Sequence, residues 1–218
     1  MKKTLFLNPP SFEGFDGGAG SRYQARREVR SFWYPTWLAQ PAALVPDGKL
    51  IDAPAANVTL DAVLRQAKEF ELCFIHTSTP SFLADVRTAE AMKDVNPKLM
   101  IGFVGPHVAV LPEKSLQASK ALDFVTRLEF DFTCKEVAEG RPFEQIDGLS
   151  YRTPSGEIVH TRDRALTNMD ALPWVVDVYR RDLRKTRRTG RALPRSHSPR
   201  RAGPAGRRRR PRATHPCS

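Results

Sequence analysis

Short apolar runs alternate with amphipathic stretches along the first 130 residues, and this alternation restricts the fold more than any other feature. The runs begin near residues 4, 49, 71, 99 and 124, and all spacings but the first approach the ~30 residues of a strand–helix–strand unit. The run from Leu72 to His76 is almost continuously apolar, as expected for a parallel strand buried on both faces. The pattern predicts an α/β fold with a doubly wound, mostly parallel, five-stranded sheet.

Right-handed crossovers between these strands favour a flavodoxin-like or Rossmann-like strand order. Helices are predicted between the strands, at residues 35–45, 59–70, 82–95 and 115–121. Thr59 is the expected N-cap of the second helix, and Asn96-Pro97 ends the third. Residues 148–160 predict a small hairpin that turns at residues 153–156, and a linker follows near residues 170–173.

The positive charge of the chain is concentrated at its C-terminal end. Thirteen of the 35 basic residues and none of the 24 acidic residues lie in residues 184–218, so the first 183 residues are close to neutral. This tail is rich in Arg and Pro, has no aromatic residue and has Leu193 as its one aliphatic residue larger than Ala, which predicts disorder. It is either an arm that binds nucleic acid or a membrane surface electrostatically, or an out-of-frame translation of GC-rich DNA, which we favour.

The composition excludes several other classes of protein. No run approaches the ~18 apolar residues of a membrane span, and the apolar run after Met1 is too short for a secretory signal, so we expect a cytoplasmic protein. The three cysteines, Cys73, Cys134 and Cys217, contain no C-x-x-C pair and predict neither a zinc ribbon nor a disulfide framework. The chain also lacks a P-loop and a dinucleotide-binding glycine motif.

The candidate binding residues follow the ends of the predicted strands, because open parallel sheets bind ligands outside the carboxyl ends of their strands. They are mostly hydroxyl-bearing or small residues without concentrated charge, which suits a large neutral-to-anionic cofactor and not catalysis or metal binding by this chain alone. They are Asn8, Pro9, Pro10 and Ser11 after the first strand, Thr77, Ser78 and Thr79 after the third, Gly105, Pro106 and His107 after the fourth, and Glu129 after the fifth.

Simpler interpretations of these residues stay open. Residues 77–79 could provide only turn and N-cap chemistry, and His107 could be an ordinary surface-loop residue. His76 is more typical of a satisfied core histidine, and the aromatic segment at residues 32–37 is more typical of packing than of a stacking platform. A phospho-receiver domain shares the predicted architecture, but its clustered carboxylates are absent after the first and third strands.

The order of several short motifs resembles the N-terminal cobalamin-binding domain of B12-binding radical SAM proteins, most closely their hopanoid-biosynthesis-associated group. The resemblance covers roughly residues 2–183. Its motifs are Leu-Asn-Pro-Pro at residues 7–10, Tyr-Pro-Thr-Trp-Leu-Ala at 34–39, Leu-Ile-Asp-Ala at 50–53, Thr-Ser-Thr-Pro-Ser at 77–81, Gly-Pro-His at 105–107, Val-Thr-Arg-Leu-Glu at 125–129, Ile-Asp-Gly-Leu-Ser-Tyr-Arg at 146–152 and Ala-Leu-Pro at 171–173. The resemblance implies cobalamin as the ligand and a role in bacteriohopanepolyol synthesis.

The chain departs from this resemblance at three places. The loop after the first strand has no D-x-H-x-x-G motif, so a bound cobalamin should lack that histidine as lower cobalt ligand. The Gly-Glu end of the fifth strand appears as Leu128-Glu129, which puts close backbone approach to a ligand there in doubt. The C-x-x-x-C-x-x-C motif that binds an iron–sulfur cluster and S-adenosylmethionine is absent, so neither is expected in this chain.

These departures give the expected domain organisation. Residues 1–145 form the cobalamin-binding-like domain, residues 146–183 form the hairpin and a linker toward an absent catalytic barrel, and residues 184–218 form the disordered tail. We therefore expect a truncated protein that binds cobalamin and is not catalytic alone. The alternative is a ligand-free flavodoxin-like domain whose basic tail binds nucleic acid without sequence specificity.

Overall fold

A computed structural model describes residues 1–10 and 34–183 of the chain. These residues form one sheet of seven strands in the order β2-β1-β3-β4-β5-β6-β7. The strands are β1 (Thr4–Asn8), β2 (Lys49–Asp52), β3 (Leu72–His76), β4 (Met100–Val104), β5 (Phe124–Thr126), β6 (Leu149–Arg152) and β7 (Ile158–His160). The first five are parallel, and β6 and β7 are antiparallel to their neighbours. The predicted α/β class and flavodoxin-like order are confirmed.

The predicted number of strands is wrong, because the hairpin joins the sheet. The sequence predicts five strands and a separate hairpin, whereas β6 pairs with β5 through the partners Phe124 with Tyr151 and Thr126 with Leu149. Strand β5 would otherwise present a row of unpaired backbone N–H and C=O groups at the sheet edge. The hairpin satisfies those groups and extends the sheet to seven strands.

The helices connect the strands on both faces of the sheet. They are α1 (Thr36–Ala43), α2 (Ala53–Ala56), α3 (Leu60–Ala67), α4 (Phe82–Val95), α5 (Pro106–Val110), α6 (Pro112–Ala118), α7 (Asp131–Glu139) and α8 (Val176–Val178). Helix α4 has the predicted bounds, and the Thr59 hydroxyl accepts a hydrogen bond from the Ala62 N–H as the expected N-cap of α3. None of the helices formed by residues 1–10 and 34–183 has the length and apolar character of a membrane span.

Five helices differ from the predictions. The predicted helix at residues 115–121 lies at Pro112–Ala118, because Pro112 starts it. Helices α2, α5, α7 and α8 are not predicted from the sequence. Helix α7 buries Thr133, Cys134, Val137 and Ala138 against the sheet, so its stability comes from tertiary packing more than from a strong apolar period.

Phenylalanine packing fills the centre of the face that carries α1 and α7. The Phe6 and Phe74 rings stack with centroids 5.1 Å apart, and Phe124 meets Phe74 edge-on at 5.7 Å. Gly102 is the register partner of Phe124, and a Cβ atom at Gly102 would lie 2.0 Å from the Phe124 ring. Glycine at this position therefore makes the space that a phenylalanine on the next strand fills.

The chain returns to α1 and β2 after the hairpin. The Tyr179 ring stacks on Tyr34 at 4.4 Å, and its hydroxyl lies 2.8 Å from the Thr36 hydroxyl at the start of α1. The Asp182 carboxylate accepts a hydrogen bond of 2.9 Å from the Leu50 N–H on the outer strand β2. This segment, residues 175–183, covers the open side of the sheet at β2.

A predicted loop at residues 11–21 that contains four glycines, residues 32 and 33 of the aromatic segment and the basic tail at residues 184–218 lie outside the described residues.

Candidate functional site

The carboxyl ends of the five parallel strands form one edge of the sheet, which we call the carboxyl edge. The strand order places the end of β1 beside that of β3, followed by those of β4 and β5. Ten of the eleven predicted site residues lie on this edge, and Ser11 lies outside the described residues. The ten are Asn8, Pro9, Pro10, Thr77, Ser78, Thr79, Gly105, Pro106, His107 and Glu129.

Asn8 at the end of β1 is paired with a buried carboxylate on β2. Its side-chain amide donates a 2.7 Å hydrogen bond to Asp52, and both residues are buried. A buried carboxylate is stable only with hydrogen-bond donors, so Asn8 supports this end of the edge as well as lining it. Asp52 is not among the site residues predicted from the sequence, although its position as the last residue of β2 was an available signal.

The loop after β3 is fixed by hydrogen bonds among its own side chains. The Ser81 hydroxyl donates a 2.7 Å hydrogen bond to Asp85 in the first turn of α4 and accepts one of 3.3 Å from the Ser78 N–H. Thr77, Ser78, Ser81 and Asp85 are all buried. Ser81 precedes α4 but makes no N-cap hydrogen bond, so its hydroxyl holds the loop instead.

The loops after β3 and β4 meet at Gly105. Its φ of 118° lies in the region that favours glycine, and a Cβ atom there would lie 2.4 Å from the Thr77 carbonyl oxygen and 3.1 Å from the His76 ring. No larger residue fits without moving the backbone. Pro106 then starts α5, so the close approach and the helix start are adjacent in the chain.

His107 links the same two loops through its side chain. Its Nδ1 lies 3.1 Å from the Thr79 hydroxyl, and its ring stacks on Phe82 at 4.2 Å. Partial burial lowers the pKa of His107 from its ordinary value, so the imidazole is neutral at pH 7. It is half-buried. These contacts go beyond those of an ordinary surface-loop histidine.

The end of β5 carries charged groups instead. The Glu129 carboxylate accepts a 2.5 Å hydrogen bond from the Thr167 N–H and therefore holds the chain that follows the hairpin. Arg127 is buried and donates to the Leu149 carbonyl at 2.6 Å and to the Ser150 hydroxyl at 2.7 Å. Leu128 between them has a φ of 52° and is 55% exposed. The backbone keeps a glycine-favoured conformation although the residue is leucine.

Asp131 opens helix α7 just beyond Glu129. The pKa of this carboxyl is raised to about 6, mainly by burial and to a smaller extent by the nearby Glu129 charge, although a backbone hydrogen bond lowers it. The edge therefore contains a carboxyl that titrates close to neutral pH. Asp131 is not among the site residues predicted from the sequence, because burial and not residue type causes the shift of its pKa.

On strand β5 and helix α1, two buried polar atoms at this edge have no hydrogen-bond partner among the described residues. They are the Thr126 hydroxyl at the end of β5 and the Trp37 indole nitrogen at the start of α1. The Trp37 ring lies 5.4 Å from the ring of His76, the last residue of β3. Because buried polar groups are normally paired, these two atoms indicate a place where a ligand could supply a partner.

Two open cavities lined by described residues lie elsewhere. One of about 610 Å³ lies at the opposite edge, beside Lys3, Glu69 and Arg181, and another of about 580 Å³ lies near Glu90 and Lys120. In the first, Lys3 pairs with Glu69 at 3.5 Å, and Arg181 pairs with Asp182 at 2.8 Å. These four charges are paired within the protein, and open parallel sheets bind ligands at the carboxyl ends of their strands, so we place the candidate site at the carboxyl edge.

Sequence comparison finds two informative relatives, and no family model matches the chain. An uncharacterised methyltransferase of Pyrococcus horikoshii is 31% identical over 183 residues, covering 79% of this chain and 38% of that protein. The anaerobic magnesium-protoporphyrin IX monomethyl ester cyclase of Rubrivivax gelatinosus is 23% identical over 199 residues, covering 81% of this chain and 34% of the cyclase. The chain thus spans little more than a third of the length of these curated relatives.

Solved structures give a matching result for the fold. The cobalamin-dependent S-adenosylmethionine radical enzyme OxsB, with aqua-cobalamin and S-adenosylmethionine bound, matches with a TM-score of 0.58 and 12% identity over 76% of this chain and 23% of OxsB. The radical S-adenosylmethionine methyltransferase TsrM of Kitasatospora setae, with cobalamin and a 4Fe-4S cluster bound, matches with a TM-score of 0.54 and 13% identity. This match covers 77% of this chain and 30% of TsrM. The chain therefore shares its α/β fold with part of these cobalamin-dependent radical enzymes.

Proposed function

We propose that this chain is a cobalamin-binding domain that holds the corrinoid across the carboxyl edge. The observation that carries the proposal is the shared fold with part of two enzymes whose structures contain cobalamin. The binding residues would be those at the strand ends, including Asn8, residues 77–79, residues 105–107 and Glu129. We assign no catalytic or metal-ligating role to any of these residues.

The chemistry of the carboxyl edge fits such a ligand. A corrinoid has an extended ring system with amide side chains, and it needs hydrogen-bonding groups and close backbone approach more than charge. Gly105 keeps the loops after β3 and β4 in close contact without a side chain. The buried Thr126 hydroxyl, which lacks a partner among the described residues, could bond a polar group of the ligand.

The cobalt should lack a histidine ligand from the loop after β1. Asn8-Pro9-Pro10 begins that loop, and the chain has no histidine before His76. His76 lies against Trp37, and His107 contacts Thr79, so both rings already have protein contacts. When bound, cobalamin supplies a cobalt centre that can carry an alkyl group, and the residues of this chain would bind and orient it.

The finer assignment extends the same proposal. We infer a domain of a B12-binding radical SAM protein of the hopanoid-biosynthesis-associated group, on the motif order between residues 2 and 183. A cytoplasmic location and an out-of-frame tail belong to this hypothesis. Radical generation is not assigned to this chain, because its three cysteines do not form a C-x-x-x-C-x-x-C motif. Translating the neighbouring frames around codon 183 should reveal that motif, and its absence from them would contradict truncation by frameshift.

Reconstitution with hydroxocobalamin tests the binding function. We expect the protein to retain the cobalamin absorption bands after desalting, and equally so in 0.5 M salt, because the proposed contacts are mainly neutral. Electrostatic capture by the basic tail would instead decline steeply with salt. A colourless protein at both salt concentrations would reject the proposal.

The cobalt-ligand prediction has its own test. His76→Ala and His107→Ala should leave the ligation spectrum of the bound cobalamin unchanged, even if either variant binds more weakly. A change in the cobalt ligand-field bands of one variant only would identify that histidine as a ligand and overturn this part of the proposal.

A further inference from the structure

Leu128 has an unfavourable backbone conformation at the carboxyl edge. Among the described residues other than glycine, Asn57 and Leu128 have positive φ, at 51° and 52°. Asparagine tolerates this region, whereas leucine does so only at a cost, because its Cβ atom crowds the backbone. Asn57 ends the short helix α2, where such a conformation is common, but Leu128 lies two residues after the end of β5.

Hydrogen bonds on both sides hold Leu128 in this conformation. On one side, the Arg127 N–H donates to the Gly148 carbonyl at 2.7 Å, and the buried Arg127 side chain binds the backbone of β6. On the other side, Glu129 accepts from the Thr167 N–H at 2.5 Å. The surrounding structure therefore determines the backbone of Leu128, and the strain is stored there.

The side chain of Leu128 gains little packing in return. It is 55% exposed, and Leu166, the residue before Thr167, is 85% exposed. The two leucines are each next in sequence to a partner of the Glu129–Thr167 hydrogen bond, so they flank one point beside the end of β5. An exposed leucine in a strained conformation is stabilised once a ligand covers it.

We propose that Leu128 is a specificity-determining contact for the corrinoid, with Leu166 as its neighbour in an apolar lip beside the end of β5. This inference rests on the proposed cobalamin-binding function. The lip would cover apolar ring atoms of the macrocycle, while the hydroxyl-rich loops after β3 and β4 would bind its polar groups. At this strand end the corrinoid would therefore contact the Leu128 side chain and would not approach the backbone closely.

Two substitutions separate the side chain from the strain. Leu128→Ala removes most of the side chain and keeps a Cβ atom, whereas Leu128→Gly removes both. We expect both variants to bind hydroxocobalamin about fivefold more weakly, since half of a leucine burial is lost. Leu128→Gly should nevertheless melt about 3 °C above Leu128→Ala, because glycine relieves the positive φ.

The titration should use two corrinoids and a matched control. Cobinamide, which lacks the nucleotide tail, should show the same fivefold loss if Leu128 contacts the ring. Leu166→Ala should weaken the binding of both ligands. Leu60→Ala, at an exposed leucine that begins helix α3 after the outer strand β2, should weaken neither, because β2 lies four strands from β5 in the sheet.

The outcomes separate this inference from the binding function. If the wild-type protein binds neither corrinoid, the proposed function fails. If the wild type binds and Leu128→Gly binds equally well or more tightly, the function stands and the role of Leu128 is rejected. A loss confined to cobalamin would assign Leu128 to the nucleotide tail and would also overturn ring contact.

Discussion

The loops after β3 and β4 meet through backbone atoms, whereas the chain after β5 is held by charged side chains. The first region depends on the close approach at Gly105 and on the Thr79–His107 hydrogen bond. The second depends on the bonds of Arg127 and Glu129. One carboxyl edge thus combines a part defined by shape with a part defined by charge. Steric substitutions should have their largest effect in the first part, and changes of charge should have theirs in the second.

Gly105→Ala should have the largest effect, because it combines a positive φ with a contact of 2.4 Å to the Thr77 carbonyl oxygen. We expect a loss of about 3 kcal/mol in the free energy of unfolding, measured by urea denaturation. Gly140→Ala is the matched control, since Gly140 also has a positive φ but would have no neighbour within 4 Å of the new Cβ. It should lose only about 1 kcal/mol. Equal losses would remove the steric explanation.

Arg127→Met tests the charged part. The substitution removes the hydrogen bonds that the Arg127 guanidinium donates to the Leu149 carbonyl and the Ser150 hydroxyl, which should cost about 2 kcal/mol. Hydrogen exchange should accelerate at the amides of β6 and β7 and stay slow in β1 and β3. Arg162→Met, at an exposed arginine that pairs with Asp147, should leave the hydrogen exchange of β6 and β7 unchanged. Uniform acceleration across the sheet would contradict a local role for Arg127.

Asp131→Asn should stabilise the protein near neutral pH. Burial raises the pKa of Asp131 to about 6, above the ordinary value of 3.8. The folded state therefore binds this proton more tightly, and the stabilisation present below pH 4 is lost as the pH rises through 6. At pH 7 the variant should gain about 1 kcal/mol after solvent screening is considered, and at pH 3.5 it should gain nothing. A gain that does not depend on pH would exclude titration of Asp131 as its cause.

His107→Gln should give the smallest effect, with the opposite dependence on pH. Burial lowers the pKa of His107 below 6.5, so its contribution to stability is present above pH 6.5 and is lost on acidification. Thermal melts between pH 7 and 5 should show a shallower loss of stability in the variant than in the wild type. Parallel curves would show that His107 does not contribute to the acid sensitivity of this region.

The sequence predicted the strands well because their signal is local. Each parallel strand is a short apolar run, and α4 ends at Asn96-Pro97, which cannot continue a helix. Helix α7 escaped prediction because its buried residues are defined by the sheet that it packs on. The pairing of the hairpin with β5 is also a tertiary feature, so the strand number was underestimated.

The candidate site was predictable in outline but not in its internal bonds. A parallel sheet dictates that residues after strand ends share one edge, so Thr77, Gly105 and Glu129 could be grouped from sequence. The bond between Asn8 and Asp52 joins residues 44 positions apart, and no local pattern indicates it. The conformation of Leu128 likewise results from the hydrogen bonds of its neighbours.

The docking of residues 175–183 has a mechanical consequence. Because Tyr179 stacks on Tyr34 and Asp182 accepts a hydrogen bond from the Leu50 N–H, residues 179–182 are fixed to the sheet and cannot rotate freely relative to it. Tension applied beyond Leu183 would load the outer strand β2 and helix α1 directly. A force on the residues that follow Leu183 would therefore change the orientation of α1.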